Sequence, residues 1–212
     1  MFKGFKDVFY DISKRLLDFF VVLPAFILIL PLIAFFVVAI KLTSRGPAIF
    51  TQERAGKNGL PFPIYKLRTM KVDVDPFGHS PKSGDDPRIT KIGKFLREYS
   101  LDELPQLFNV FKGEMSLVGP RPLYMTQILE WNKRQKRRLE VKPGLTGLAQ
   151  ISGRGSLTSE QKLELDVTYV EQRSFWLDIK IIFITFGYIF NRREIYEHRY
   201  SEKEEIRGES DK

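Results

Sequence analysis

The chain has 212 residues and a formal net charge of +8, from 34 basic and 26 acidic side chains, and its length fits one domain with a small appendage. It contains no cysteine and only two histidines, which excludes disulfide frameworks, cysteine nucleophiles, and cysteine-based or multi-histidine metal sites. Hydrophobic residues make up 43% of the chain, too many for a disordered protein, whereas the mean hydropathy of −0.21 is too low for a protein with many membrane spans.

A membrane-associated segment lies near the N-terminus. Residues 19–40 form an unbroken run without a charged or polar side chain, and a helix of about 22 residues is roughly 33 Å long, enough to cross a bilayer core. Pro24 and Pro31 lie inside the run and are expected to kink the helix at one or both positions. Basic residues flank both ends, so the positive-inside rule gives no direction. These residues alone leave a spanning helix and a re-entrant helix–break–helix hairpin as equal alternatives.

After this run the pattern predicts a compact domain of the α/β class, mostly helical with a small β element. Two short strands at 48–52 and 62–67 flank a glycine-containing turn, and a loop rich in proline and glycine follows at 71–88. Four helices and a glycine-rich loop complete the domain. The helices are predicted at 89–99, 104–111, 125–140 and 159–170, and the loop at 141–155.

Two further segments each have two interpretations. Residues 181–190 are apolar but too short to span a membrane, so they form either an amphipathic interfacial helix or an ordinary core helix. The basic cluster at 133–138 faces either anionic lipid or solvent. We divide the chain into a membrane segment at 1–41, a main domain at 42–195 packed on the membrane surface, and a polar tail at 196–212.

Two adjacent carboxylates, Asp102 and Glu103, lie just before Pro105, a residue that is favoured at the start of a helix. One interpretation is a capping box, in which Ser100 caps the helix and Glu103 follows three residues later. The other is a reactive site, in which an ionised Asp102 is a nucleophile and helix-end donors with Mg²⁺ bind phosphate oxygens. The side chains of adjacent residues diverge at a helix start, so the two carboxylates can take separate roles.

Basic residues elsewhere in the domain are candidates for binding phosphate. Arg121 lies between Pro120 and Pro122, which stiffen the chain, so little conformational entropy is lost when its guanidinium binds diphosphate oxygens. For any single candidate, an ordinary surface charge is the alternative. The further candidates are Lys66, Arg68, Arg88, Arg97 and Arg154.

The glycine-rich loop at 141–155 is a weaker signal. Its glycines would let the backbone approach a nucleotide or a sugar closely. Glycine loops are common, so the loop by itself does not assign a ligand.

Four motifs in chain order are far more specific than any one of these signals. They are YKLRTM (65–70), DPRITKIGKFLR (86–97), SLDELPQLFNVFKGEMSLVGPRP (100–122) and VKPGLTGLAQISGR (141–154). Together they resemble the bacterial sugar transferases, the monotopic phosphoglycosyl transferase family. The resemblance runs from about residue 14 to about residue 190 and is closest to the small form of the family that consists of the catalytic domain only.

The resemblance implies an activity, a location and partners. Such enzymes transfer a sugar-1-phosphate from a UDP-sugar to a polyprenyl phosphate, usually undecaprenyl phosphate, and release UMP. They act at the cytosolic face of the bacterial inner membrane and need Mg²⁺. The bilayer is then a partner, nucleic acid is not, and a homodimer is plausible. The family's membrane helix is re-entrant and broken at a proline that matches Pro31, although this chain has Leu30 where serine often precedes that proline and has Pro24 in addition.

The resemblance also assigns roles to residues. The family's aspartate, here Asp102, attacks the β-phosphate to form a phosphosugar-enzyme and helps to hold Mg²⁺, and the lipid phosphate then attacks that intermediate. Glu103 is the second catalytic residue, with positioning and proton handling both open. The family's phosphate-binding basic residues match Lys66, Arg97, Arg121 and Arg154.

Three alternatives stay open at this point. A membrane-tethered binding protein could use the positive charge on nucleic acid or anionic lipid, although it leaves Asp102, Glu103 and the GPRP motif unexplained. A spanning scaffold for other glycan enzymes would place the two termini on opposite sides of the membrane. An enzyme could also transfer the sugar phosphate directly, without a covalent intermediate. No residue in the sequence selects the sugar.

Overall fold

The protein consists of one long helix and a small α/β body, in a computed structural model that describes residues 5–74, 81, 86–153 and 156–191. The helices are α1 (Phe5–Thr43), α2 (Lys91–Glu98), α3 (Gln106–Lys112), α4 (Leu148–Ile151), α5 (Ser159–Gln172) and α6 (Phe175–Asn191). The strands are β1 (Ile49–Ala55), β2 (Pro61–Leu67), β3 (Ser116–Val118) and β4 (Gly144–Thr146). Short 3₁₀ helices cover Lys57–Gly59, Leu101–Glu103, Met125–Glu130 and Gln135–Glu140. The mostly helical α/β class is as predicted.

Helix α1 continues through Pro24 and Pro31, so the predicted break into two helices is wrong. Each proline removes only one backbone donor, and side chains on both sides of the prolines pack against the body. The buried side chains share one stripe, because they recur at multiples of three and four residues. They are Asp18, Val22, Ile33, Phe36 and Ile40.

The body contacts α1 along most of its length. Near the start of the helix, Lys14 Nζ lies 2.7 Å from Asp178 Oδ2. In the middle, Val22 packs in a core cluster with residues of β2 and α3. At the end, the Arg68 guanidinium donates to the carbonyl oxygen of Ser44 at 3.1 Å. The helix therefore lies along the body rather than projecting from it.

The opposite face of α1 is apolar and exposed. Phe20, Leu28, Phe35 and Leu42 are among its side chains, and Leu42 is 82% exposed. By length and composition, α1 is the one helix in the described ranges that could cross a membrane. A surface of this kind is energetically costly in water and marks a contact with lipid or protein.

The hairpin of β1 and β2 confirms the two predicted strands and extends the first to Ala55. Its pairing is antiparallel, with Phe50 opposite Lys66. The free edge of β2 is closed by Asn109 of α3, which is fully buried. Asn109 Oδ1 accepts from the Tyr65 N–H at 3.2 Å, and Asn109 Nδ2 donates to the Pro63 carbonyl at 2.7 Å. This carboxamide replaces the peptide group of a third strand and fixes β2 on α3.

The loop predicted at 141–155 instead contains strand β4 and helix α4, and β4 pairs in parallel with β3. The glycines predicted to approach a ligand serve this pairing. A Cβ on Gly144 would lie 2.0 Å from the Gly119 nitrogen, and one on Gly147 would lie 2.2 Å from the Gly119 carbonyl oxygen. Only glycine allows these backbones to come so close.

The helix predicted at 125–140 is two separate 3₁₀ helices. The interruption follows from Asn132 and Gln135, which cap each other: the Gln135 N–H donates to Asn132 Oδ1, and the Asn132 N–H donates to Gln135 Oε1. A side chain that satisfies the backbone locally competes with a continuous helix. Trp131, just before this cap, has an extended backbone.

The basic cluster at 133–138 makes ion pairs with helix α5. Arg134 contacts Glu164 and Glu171 on the surface, and Arg138 forms a buried pair with Asp166 at 2.7 Å. These contacts favour an ordinary protein surface over a lipid-binding patch. Arg138 Nη2 also donates to the Arg121 carbonyl at 2.6 Å, which anchors the loop that carries Arg121.

Helix α6 contains the apolar segment at 181–190 and has two different faces. Asp178 and Ile181 are fully buried against the body. Trp176, Phe183 and Phe186 are exposed, with Trp176 at 77%. The helix therefore combines both interpretations of the sequence, a core-packed face and an outward aromatic face.

Candidate active site

The turn that carries Asp102 and Glu103 is not the predicted capping box. Ser100 has a left-handed backbone (φ 55°, ψ 23°), and its side chain caps nothing. A 3₁₀ helix, Leu101–Glu103, follows, and Pro105 then precedes α3. The reversal at Ser100 ends α2 and starts the turn, so the two carboxylates lie between two helices that pack on different parts of the body.

Glu103 holds two of the predicted phosphate-binding residues together. Lys66 Nζ lies 2.7 Å from Glu103 Oε1, and Arg121 Nη2 lies 2.8 Å from the same oxygen. Lys66 comes from β2 and Arg121 from the loop after β3, so residues far apart in the chain meet at one atom. The positive charges of Arg121 and Lys66 outweigh the effect of burial and hold the pKa of Glu103 below its ordinary value.

Asp102 differs sharply from its neighbour. It is only 9% exposed, and its carboxylate accepts no hydrogen bond from the residues that the structure describes. Burial raises the pKa of Asp102 to about 6, opposed by the nearby charge of Lys66 and reinforced by Glu103. The site therefore contains one firmly ionised, doubly paired carboxylate and one unpaired carboxylate that ionises just below neutral pH.

Arg97 lies at the edge of this group. Its Nε donates to Thr69 Oγ1 at 2.9 Å, and its charge is among those that lower the pKa of Asp102. Helix α2 carries Arg97 and packs tightly on the chain after β2, because a Cβ on Gly93 would lie 2.0 Å from the Thr69 carbonyl oxygen. Thr69 thus links Arg97 to the strand that carries Lys66.

The structure brings together five of the six predicted site residues: Lys66, Arg97, Asp102, Glu103 and Arg121. The sixth, Arg154, lies outside the described residues, as does the predicted tail at 196–212.

Two weaker candidates make their contacts elsewhere. Arg68 is 7% exposed and binds the Ser44 carbonyl and hydroxyl at the end of α1. Arg88 pairs with its neighbour Asp86.

Sequence reasoning missed the residues that position these side chains. Asn109 and Arg138 act through the backbone of β2 and of the Arg121 loop, and Arg54 and Tyr124 stack beside that loop. The one available signal was a polar Asn109 within an apolar helical run.

The donor set fits a hard cation held jointly with a substrate. In the described ranges no three histidine, aspartate or glutamate side chains cluster as a complete metal cage. Mg²⁺ is commonly held by one or two carboxylates together with substrate phosphates and water. Asp102, with unbonded oxygens, can serve as such a ligand, whereas Glu103 is already occupied by two cations.

The backbone at Ser100 generates a stability prediction. The left-handed conformation costs an L-residue with a branched side chain roughly 1–2 kcal/mol more than glycine. We expect Ser100→Gly to be as stable as the parent or more stable, and Ser100→Val to lose about that free energy of unfolding. Denaturant unfolding in detergent measures both variants. Equal stability of the two would contradict the geometry of this turn.

Comparison with known proteins gives one family. The family described as bacterial sugar transferase matches residues 9–192. Similar proteins include the galactosyl transferase CpsE of Streptococcus agalactiae serotype III, 45% identical over 205 residues, and the uncharacterized sugar transferase EpsL of Bacillus subtilis, 42% identical over 200 residues. Another is the UDP-glucose:undecaprenyl-phosphate glucose-1-phosphate transferase of Klebsiella pneumoniae, 44% identical over 182 residues.

The matches differ in how much of each relative they cover. The match with CpsE covers 87% of this chain and 45% of CpsE. The match with the Klebsiella protein covers 82% of this chain and 39% of that protein. The chain thus spans less than half the length of these two relatives. With EpsL the match includes 94% of this chain and 98% of the relative. On the family match over most of its length and the end-to-end similarity to EpsL, the chain belongs to the bacterial sugar transferase family.

Proposed function

We propose that the protein transfers a sugar-1-phosphate from a UDP-sugar to a polyprenyl phosphate, such as undecaprenyl phosphate, and releases UMP. The observation that carries this proposal is the unpaired, buried Asp102 beside two cations that share Glu103. A carboxylate without hydrogen bonds keeps its lone pairs for attack. The name of the Klebsiella relative describes the same type of reaction with UDP-glucose, and CpsE is named a galactosyl transferase, so we leave the sugar as a hexose of unspecified identity.

The proposed reaction has two steps on one carboxylate. In the first, an Asp102 oxygen attacks the β-phosphorus of the UDP-sugar, the bond from that phosphorus to the bridging oxygen breaks, and UMP leaves with the electron pair. In the second, an oxygen of the lipid phosphate attacks the same phosphorus. The acyl phosphate bond then breaks and Asp102 is regenerated as a carboxylate. The two substrates never need to be bound together.

Glu103 acts as a positioning residue in this scheme rather than as a base. Its depressed pKa makes it a poor proton acceptor near neutral pH. Its single oxygen Oε1 keeps Lys66 and Arg121 in place before substrate arrives. Both cations then lie where negative charge accumulates on the reacting phosphoryl group, and they require little reorganisation. Mg²⁺, with Asp102 as a ligand, would neutralise further diphosphate charge.

The proposed location is the cytosolic face of the bacterial inner membrane, with residues 1–41 as a monotopic anchor and residues 42–195 as the catalytic domain. A spanning helix needs about 20 residues free of the body, and α1 offers no such stretch, because buried or half-buried side chains recur throughout it. Its exposed apolar face and the aromatic face of α6 supply the lipid contact. An unbroken helix that lies along the body in this way keeps both of its ends on the side of the catalytic domain.

The covalent intermediate gives the first test of this function. Incubation of the protein with a UDP-hexose in the absence of lipid acceptor should add one hexose-phosphate mass that maps to Asp102. Asp102→Asn should abolish the adduct and lower the rate of UMP release by roughly 10³-fold or more. Glu164→Gln, which neutralises an exposed carboxylate on α5, is the matched control and should behave as the parent. Intact mass spectra that never show the adduct would refute the two-step reaction.

The pH dependence of the first step provides a second test. Asp102 must be ionised to attack, and burial raises its pKa to about 6 in the metal-free protein, so the burst of UMP release should decline at acid pH. Mg²⁺ bound to Asp102 would favour the carboxylate and move the midpoint below this value. Lys66→Met removes the charge that most lowers the pKa of Asp102. The midpoint of the pH profile should therefore move to higher pH, and the amplitude of the burst should fall. Arg134→Met should leave the midpoint unchanged. A midpoint that does not move in Lys66→Met would contradict the proposed electrostatics.

Membrane topology can be tested directly because the chain lacks cysteine. Single variants Lys6→Cys before the apolar run, Arg45→Cys after it and Glu160→Cys in the main domain can be labelled with a membrane-impermeant maleimide. All three should react in inside-out vesicles and none in intact spheroplasts. Reaction of Lys6→Cys from the opposite side alone would establish a spanning helix instead.

A further inference from the structure

Arg54 is a cation beside the active site that neither the motifs nor the mechanism uses. Its guanidinium carbon lies 3.6 Å from the centre of the Tyr124 ring, a stacked cation–π contact. Its Nη2 donates to Gln52 Oε1 at 2.7 Å. The stacking and this bond hold the guanidinium plane fixed, so little entropy is lost when it binds a ligand.

The guanidinium of Arg54 has donors to spare. Its Nε is buried without a hydrogen-bond partner, and the hydrogen bonds that the guanidinium makes in the described ranges go to neutral side chains, those of Gln52 and Tyr124. No carboxylate in the described ranges lies within ion-pair distance of it. A half-buried arginine without an anionic partner is costly for the free protein, and an anionic ligand would remove this cost.

Arg54 lies on the same face of the hairpin as Lys66. Phe50 pairs with Lys66 across the hairpin, and Arg54 lies four residues further along β1. Alternate residues of a strand share a face, so this face carries Lys66 and Arg54 with Gln52 between them. Four residues of strand separate the two backbone positions by about 13 Å, so the two long side chains must extend toward each other, on the side of Arg121, to contact one diphosphate.

The loop that carries Arg121 joins these two ends. The Ala55 N–H, next to Arg54, donates to the Leu123 carbonyl at 2.9 Å, and Tyr124 follows directly. Burial lowers the pKa of the Arg54 guanidinium, and the charges of Arg121 and Glu103 also act on it. Arg54 is therefore close enough to Arg121 and Glu103 to interact with them electrostatically.

We propose that Arg54 is a substrate-binding residue for the phosphate of the donor that departs with the nucleoside, an inference that rests on the proposed function. Lys66 and Arg121 meet beside Asp102 and so belong to the phosphate that is attacked. Arg54, which lies beside the loop of Arg121 and on the hairpin face of Lys66, then reaches the neighbouring phosphate of a nucleoside diphosphate. Two cations of the hairpin face and Arg121 of the neighbouring loop thus bind the diphosphate, and the stacked Arg54 holds the leaving group.

Binding of UMP and of uridine to the full chain in nanodiscs tests this assignment. Arg54→Met should weaken UMP binding by roughly 10- to 100-fold, because a hydrogen-bonded charge pair is lost, and should leave the affinity for uridine unchanged. Arg54→Lys keeps the positive charge but lacks the planar guanidinium that stacks on Tyr124. Its affinity for UMP should therefore lie between those of the parent and Arg54→Met. Arg134→Met, an exposed arginine on another face, is the matched control and should match the parent.

Kinetics of the separate steps complete the test. Arg54→Met should raise the KM for the UDP-sugar while leaving the dependence of the second step on lipid phosphate unchanged. Tyr124→Leu should reproduce part of the defect and Tyr124→Phe should not, because phenylalanine keeps the stacking surface.

Unchanged UMP affinity in Arg54→Met and Arg54→Lys would overturn the proposal, as would an equal loss of uridine binding. Failure of the proposed function is distinguishable, because the parent protein would then form no adduct whatever its affinity for UMP.

Discussion

The contact of Lys66 and Arg121 with one oxygen of Glu103 is the interaction on which the site depends. It joins a β-strand, a 3₁₀ turn and a proline-bounded loop that the chain brings together from distant positions. Hydrogen bonds from other side chains fix the backbones that carry both cations. Asn109 binds the strand of Lys66, and Arg138 binds the backbone carbonyl of Arg121. Two cations without Glu103 between them would repel each other, so the carboxylate keeps them together, as their proposed role in phosphate binding requires.

This arrangement explains why two adjacent carboxylates can differ so strongly. Glu103 receives both positive charges and has a depressed pKa, whereas Asp102 receives none directly and burial raises its pKa. A side chain that is paired is a poor nucleophile, and one that is unpaired and desolvated is a good one. The 3₁₀ helix Leu101–Glu103 allows this difference, because successive side chains of such a helix point about 120° apart and so reach different surroundings.

The long helix imposes the second constraint, which concerns where the chemistry takes place. Contacts with the body from Lys14 to Ser44 keep α1 against the catalytic elements. Its outer face and the aromatic face of α6 are apolar, so they favour one common lipid surface. In the proposed membrane arrangement, a site built on elements that pack directly on this helix lies close to the headgroup layer, which suits a lipid phosphate acceptor.

The sequence by itself determined the class of fold, the apolar helix, the hairpin, the family resemblance and five residues that meet in the site. These features depend on local hydropathy patterns and short motifs, which can be recognised without knowing which distant residues are in contact. It did not determine the continuity of α1, the interruption at Asn132, or the strand pairing that uses Gly119 and Gly144. Local rules offered a capping box at Ser100 as one interpretation, and the backbone there is left-handed instead. Only the tertiary structure decided which carboxylate is paired and that Arg54 joins the group, because both depend on contacts between residues far apart in the chain.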